Sequence, residues 1–215
     1  MRTLILATRN RHKTVELQAL LEGLSRCCSL EQFPEAPELV EDADTFAGNA
    51  SRKAAQLATW LASRGEFQGS WVLADDSGLE VDALQGAPGV SSARFAAAEA
   101  GACGNAPDEA NNSKLLRLLR EVPPSGRSAR FRCCLAIVEV PQPGFVPSSP
   151  LCFEGVCEGV IGFEPRGRQG FGYDPIFVPR GWDRTFAELT QAEKNQISHR
   201  HAALARLREW TGRTS

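Results

Sequence analysis

Leu4-Ile5-Leu6-Ala7-Thr8-Arg9-Asn10-Arg11-His12-Lys13 opens the chain with a short apolar run that stops abruptly at polar residues. From there the apolar period changes: Leu17, Leu20, Leu21 and Leu24 recur at i, i+3, i+4 and i+7. A buried strand therefore feeds an amphipathic helix, with Asn10 or Thr14 as its candidate cap. A strand running straight into a helix sets the fold class as α/β.

The pattern repeats along the chain. Phe46, Ala50, Ala54, Leu57, Ala58 and Leu61 share one face of a second helix, capped by Asp44 or Thr45. Asn49 and Lys53, one turn apart, project together from it. Trp71-Val72-Leu73-Ala74 is a second buried strand that ends in Asp75-Asp76-Ser77-Gly78, where Gly78 permits a tight turn. Gly86, Pro88 and Gly89 force a loop, and residues 108–121 form a third helix. Residues 130–140 and 151–161 read as a β-hairpin joined by a long Pro-, Gly- and Ser-containing loop over 141–150, expected to be mobile. A single last helix is expected over 193–210.

Bulk properties exclude several classes. With 215 residues, 42% of them apolar and 23% charged, the chain is ordinary globular material for one compact body or two close lobes. A net charge of −2 and a pI near 6.0 leave no basic footprint for DNA or RNA, so nucleic acid is not an expected partner. Seven cysteines with no Cys-x-x-Cys spacing point to reduced thiols in packing roles; of the neighbours Cys133 and Cys134, one is expected to face inward. The apolar run at the start is too short for a signal peptide and no segment approaches membrane-spanning length, so the expected setting is the cytoplasm, away from the membrane.

Three constellations carry chemistry. Thr8, Arg9, Asn10, Arg11, His12 and Lys13 sit where a helix begins, and a helix N-terminus with added cations suits a polyphosphate. Read without other context, the same residues also describe a solvated basic turn; the glycines and Lys-Ser/Thr pair of a P-loop are absent. Asp75 and Asp76, with Glu41 and Asp42 elsewhere, suit Mg²⁺, which takes one or two carboxylates plus water and phosphate, and such an acid can accept a proton from water. An Asx-type turn is the competing description of that pair. The third group is Phe171-Gly172-Tyr173-Asp174 with Lys194, Ser198, His199 and Arg200, where aromatic faces can stack on a base and cations can bind phosphate or a purine oxygen.

Taken together, the blocks Ala7-Thr8-Arg9-Asn10 with Lys13, Thr45-Phe46 with Asn49 and Lys53, Ala74-Asp75-Asp76-Ser77-Gly78-Leu79, Gly86-Ala87-Pro88-Gly89 with Ser92-Ala93-Arg94, Phe171-Gly172-Tyr173-Asp174-Pro175 and Glu193-Lys194 with Ile197-Ser198-His199-Arg200 resemble the inosine triphosphate pyrophosphatase family over nearly the whole chain. The resemblance implies a single catalytic domain over residues 1–215, with a long mixed sheet, flanking helices and two lobes around a nucleotide cleft, working as a homodimer. It implies Mg²⁺-dependent cleavage of ITP, dITP or XTP to the monophosphate and pyrophosphate. Thr8, Arg9, Asn10, Arg11, His12, Lys13, Lys53 and Ser77 would bind the triphosphate. Asp76 would accept the proton and, with Glu41, hold the metal. Phe171, Gly172, Tyr173, Asp174, Lys194, His199 and Arg200 would surround the base. Family members often carry Gly where this chain has Arg9 and His12, so its cradle bears larger side chains. A Maf-type pyrophosphatase acting on modified pyrimidine nucleotides and a non-enzymatic nucleotide-binding module are the rival readings; the Phe-Gly-Tyr-Asp and Ser-His-Arg blocks speak against the first.

Overall fold

The computed structural model describes residues 3–23, 26–97, 101 and 104–214, with side chains to 211. Leu24 and Cys103 lie outside the described residues. Among the described residues one mixed sheet has the strand order β2-β1-β3-β4-β5-β6. Its strands are β1 (Thr3–Leu6), β2 (Arg26–Ser29), β3 (Trp71–Val81), β4 (Ser128–Glu139), β5 (Leu151–Ile161) and β6 (Phe177–Pro179). β1 pairs in parallel with both β2 and β3, while β5 and β6 are antiparallel. The helices are α1 (Arg11–Leu21), α2 (Phe46–Ser63), α3 (Asp108–Leu118), α4 (Gln191–Ile197) and α5 (His199–Thr214).

The chain divides into two compact units. The first comprises Met1–Asp76, Cys133–Gly155 and Ala203–Ser215. Here the sheet is covered on both faces. Ala50, Ala54, Leu57, Ala58 and Leu61 of α2, all fully buried, pack on Ile5, Val72, Ala74, Cys134, Ala136 and Val138. The opposite face carries Leu4, Leu6, Leu73, Cys133, Leu135 and Ile137 against Leu17, Leu20 and Leu21 of α1 and Ala203, Leu204 and Leu207 of α5. Double coverage explains one departure from the sequence reading. Cys133 and Cys134 alternate to opposite faces, yet both are buried, because neither face meets water.

The second unit comprises Ser77–Arg132 and Val156–Ala202. Its core gathers Leu79, Val81, Leu115, Leu119, Phe131, Tyr173, Ile176, Phe177 and Phe186. Phe131 meets Phe177 edge-on, with ring centroids 4.7 Å apart, and stacks on Phe186 at 5.8 Å.

Two further expectations are corrected. The tight turn at Gly78 does not form: β3 continues to Val81, so Asp75 and Asp76 lie within a strand instead of at its end. Gly78 adopts the strand conformation because Leu79 and Val81 beyond it are apolar and fully buried. The last helix is broken. Thr190 and Glu193 form a capping box that starts α4, and Ser198, at φ −71° and ψ 156°, ends it. The Ser198 hydroxyl then accepts the His201 N–H at 3.2 Å and caps α5.

Candidate active site

The turn between β1 and α1 is built by its own short polar side chains. Thr8 Oγ1 accepts the Asn10 N–H and Asn10 Oδ1 accepts the Lys13 N–H, each at 3.1 Å. Asn10 is therefore the helix cap. Arg9, Arg11 and His12 are exposed, and Arg9 donates to the Ala36 carbonyl at 2.6 Å. Lys13 instead reaches inward: its Nζ lies 2.6 Å from Asp75 Oδ1, on a carboxylate whose side chain has 0% exposure.

Strand alternation sends the two aspartates to opposite faces of the sheet. Asp75 follows Leu73 to the α1 side, where the Cys133 thiol also donates to its Oδ2 at 3.2 Å. Asp76 follows Val72 and Ala74 to the α2 side. There Asn49 Nδ2 donates to Asp76 Oδ2 at 3.1 Å. Lys53 Nζ lies 2.8 Å from Glu41 Oε1, 2.7 Å from the Asp75 carbonyl and 3.5 Å from Asp76 Oδ1. One buried ammonium thus joins two carboxylates and a main-chain oxygen. Burial pulls Lys53 toward the neutral form, but Asp76, Glu41 and Asp75 together outweigh it and hold its pKa above the ordinary lysine value. Burial dominates at Asp76 and raises its carboxyl above the usual range, with Lys53 and Lys13 opposing.

In the second unit Asp174 is the organiser. Its Oδ2 accepts from Lys194 Nζ at 2.5 Å and from the Phe171 N–H at 2.9 Å. Lys194, Asp174, His199 and Arg200 are all buried, and the His199 ring stacks on Phe131 at 4.9 Å. Lys194 Nζ and Arg200 Cζ stand 5.0 and 5.4 Å from the Phe171 ring centroid, and Arg200 also donates to Ser77 Oγ at 2.6 Å. Tyr173 belongs to the core: it is 3% exposed and its hydroxyl donates to the Ser92 carbonyl at 2.9 Å.

The residues expected to act thus fall into two groups. Thr8, Arg9, Asn10, Arg11, His12, Lys13, Glu41, Lys53 and Asp76 belong to the first unit, and Ser77, Phe171, Gly172, Tyr173, Asp174, Lys194, His199 and Arg200 to the second. The sequence singled out Asp75 beside Asp76 as an acid suited to Mg²⁺ and Asn49 beside Lys53, but not that Asp75 anchors Lys13 or that Asn49 holds Asp76. Asn49 was visible as a neighbour of Lys53 on one helix edge and in the same resembling block, and that edge is buried. Among the described residues no cluster of three or more His, Cys, Asp or Glu could hold a metal. Glu41 and Asp76, both turned to Lys53, are hard oxygen donors. They fit an ion that takes one or two carboxylates and completes its shell with water and phosphate.

Comparison with known proteins shows the family of the chain. The model of the Ham1 family matches residues 4–210. The dITP/XTP pyrophosphatase of Opitutus terrae is 47% identical over 217 residues, covering 98% of each chain. That of Desulforamulus reducens is 48% identical over 96% of this chain and 94% of its own. Among solved structures, a HAM1 protein from Coxiella burnetii superimposes with a TM-score of 0.79 at 39% identity, covering 99% of this chain and 100% of its own.

Proposed function

The chain belongs to the Ham1 family, and from that premise we propose that it hydrolyses non-standard purine nucleoside triphosphates (ITP, dITP, XTP) to the monophosphate and pyrophosphate. It would thereby clear such nucleotides from the pool. The observation that carries the reading is the junction at Lys53 of α2, where one cation meets the exposed acid Glu41 and the buried acid Asp76, itself held by the Asn49 amide, on the strand β3 that adjoins β1 and its basic turn. Relatives named dITP/XTP pyrophosphatase support the substrate class.

Asp76 is the proton acceptor for the attacking water. Asn49, holding one carboxylate oxygen, fixes which way the carboxylate faces. Lys53 and Lys13, with the N-terminal end of α1, stabilise negative charge that builds on the departing pyrophosphate. Asp75 keeps Lys13 in place. Glu41 and Asp76 are the residues that would hold Mg²⁺, which when bound supplies charge neutralisation of the phosphate oxygens. In the second unit the Phe171 ring offers a stacking face, and Lys194, His199 and Arg200 offer donors to the 6-oxo group shared by hypoxanthine and xanthine, where adenine carries an amine.

The same reading takes the protein as a homodimer in the cytoplasm, acting on free nucleotides; no helix among the described residues is long and apolar enough to cross a membrane. The test is pyrophosphate release from ITP, dITP, XTP, GTP and ATP, with Mg²⁺ and with a chelator. Release from the first three that requires the ion is the expected result. Equal rates on all five would end the substrate assignment, and undiminished rates in chelator would end the metal assignment.

A further inference from the structure

The loop that carries Phe171 is gripped from outside itself, and the grip comes from α3. Asp108 and Asn112 stand one helical turn apart, so their side chains share a face. Asp108 Oδ2 accepts the Gly172 N–H at 2.6 Å, and Asn112 Nδ2 donates to the Gly172 carbonyl at 3.0 Å. Both hydrogen-bonding groups of one residue are thus fixed by one helix. Gly172 sits at φ +62°, a conformation that a side chain disfavours and glycine adopts freely, so the two bonds to α3 select one of several backbone orientations open to it. The Phe171 N–H is bonded separately to Asp174, and Tyr173 to Ser92. The backbone at Gly172 adjoins the residue whose ring lies 5.0 Å from Lys194 Nζ and 5.4 Å from Arg200 Cζ.

Asn112 carries a second mark. Its Oδ1 is buried without a hydrogen-bond partner, while the residue as a whole is 5% exposed. A half-satisfied buried amide is a poor choice for stability, since an apolar side chain of similar volume would leave no orphan acceptor. The feature that sets it apart from such a side chain is the bond to Gly172.

We propose that Asp108 and Asn112 are positioning residues for the base site: by fixing both ends of Gly172 they hold the Phe171 ring beside Lys194 and Arg200, and so set affinity for the purine without touching the phosphates. The proposal rests on the function assigned above. Contacts made equally in the ground and transition states change KM and leave kcat alone. Asp108→Ala and Asn112→Leu are therefore expected to raise KM for dITP about tenfold with kcat within about twofold. Asp108→Asn, whose amide oxygen still accepts from Gly172, is expected to keep KM within about twofold of wild type. Asn112→Leu is expected to retain the wild-type thermal transition, which a merely structural role would not allow.

Steady-state dITP hydrolysis and thermal melts on the full chain test this. Unchanged KM in both Asp108→Ala and Asn112→Leu overturns the proposal, as does a loss expressed in kcat alone. An Asp108→Asn variant as impaired as Asp108→Ala also overturns it, since charge and not the Gly172 bond would then matter. Should Asp108→Ala fail to fold, Asn112→Leu decides by the same KM criterion. Wild-type protein that leaves dITP intact overturns the function reading and this proposal together, whereas wild-type turnover with unaffected variants overturns the proposal alone.

Discussion

Replacing Lys53 by Met tests whether the buried junction on α2 is an ionic unit. The Lys53 side chain is 5% exposed and that of Asp76 9%, whereas Glu41 is 43% exposed and can turn to water when the cation is gone. The cost therefore falls on Asp76, left charged in the interior with Asn49 as its remaining donor in this cluster. Removing one partner of a buried pair costs about 3–5 kcal/mol. The 3.5 Å separation of Lys53 and Asp76 and the residual pull of Lys13 place this case at the lower end, about 3 kcal/mol. For a chain of this size that lowers Tm by about 6–12 °C.

Asp76→Asn should behave differently. Burial already disfavours the charged carboxyl, so an isosteric amide changes stability by no more than about 1 kcal/mol. If the stranded charge is what Lys53→Met exposes, neutralising it in the double variant recovers about 2 kcal/mol of the loss. Urea unfolding midpoints of wild type, both single variants and the double variant, all in chelator so that no divalent ion substitutes for the ammonium, give the coupling energy. A coupling below about 0.5 kcal/mol refutes the reasoning and assigns Lys53 to the Asp75 carbonyl and to packing of its stem.

Other outcomes follow from the same geometry. Asp76→Asn is expected to lower kcat for dITP by about 10²–10⁴-fold while the circular dichroism spectrum stays that of wild type; retained turnover removes Asp76 from the chemistry. Cys152 is exposed and held down to about 6, chiefly by its hydrogen bond with Cys134 and further by Ser51, against burial. A lowered thiol pKa means thiolate above that pH, so iodoacetamide labelling of Cys152 should reach half its maximal rate near pH 6 and move upward in Cys134→Ala. A wild-type midpoint near the ordinary thiol value of about 8.5 contradicts this. Arg127, 2% exposed, donates to the carbonyls of Leu119, Val122, Ile161 and Gly162. Arg127→Met takes its donors from all four oxygens, of which that of Leu119 keeps the Val122 N–H, and should cost on the order of 3–5 kcal/mol in urea unfolding, with a loss under about 1 kcal/mol counting against the clamp.

The parts of the fold that the sequence displays are those with long, clean periods. The apolar face of α2 and both hairpin strands fall where spacing puts them, since enough apolar side chains recur to outweigh local noise. β2 escapes because Arg26-Cys27-Cys28-Ser29 has no alternation to read, and β6 because three residues ending in Pro179 mark only a short edge. The break at Ser198 is a cap inside an otherwise continuous helical pattern, which period alone smooths over. Among candidate site residues the charged ones stand out by type. Asn49 and Asn112 do not, because a carboxamide matters here only through partners, Asp76 and Gly172, that are remote in sequence.

The misplaced turn at Gly78 shows where local reasoning gives way to the sheet. Polar residues after an apolar run ordinarily mean that a strand has reached solvent, and Asp75-Asp76-Ser77-Gly78 meets that description. It fails because each aspartate has a lysine waiting on its own face: Lys13 at the start of α1 for Asp75, Lys53 from α2 for Asp76. The strand can then continue through the charged pair, since neither carboxylate is left unpaired in the interior. Alternation makes the arrangement specific. A slip of one residue would carry Asp76 to the α1 face and take it from Asn49 and Lys53, so the packing that fixes the register of Val72 and Ala74 against α2 also fixes which acid meets which cation. On α2 itself Lys53 stands beside fully buried Ala54, and Asn49 beside Ala50. The buried core of the first unit is thus the frame that holds Asp76, the proposed proton acceptor, and substitutions that loosen those alanine contacts should be felt at Asp76 before they are felt in the fold.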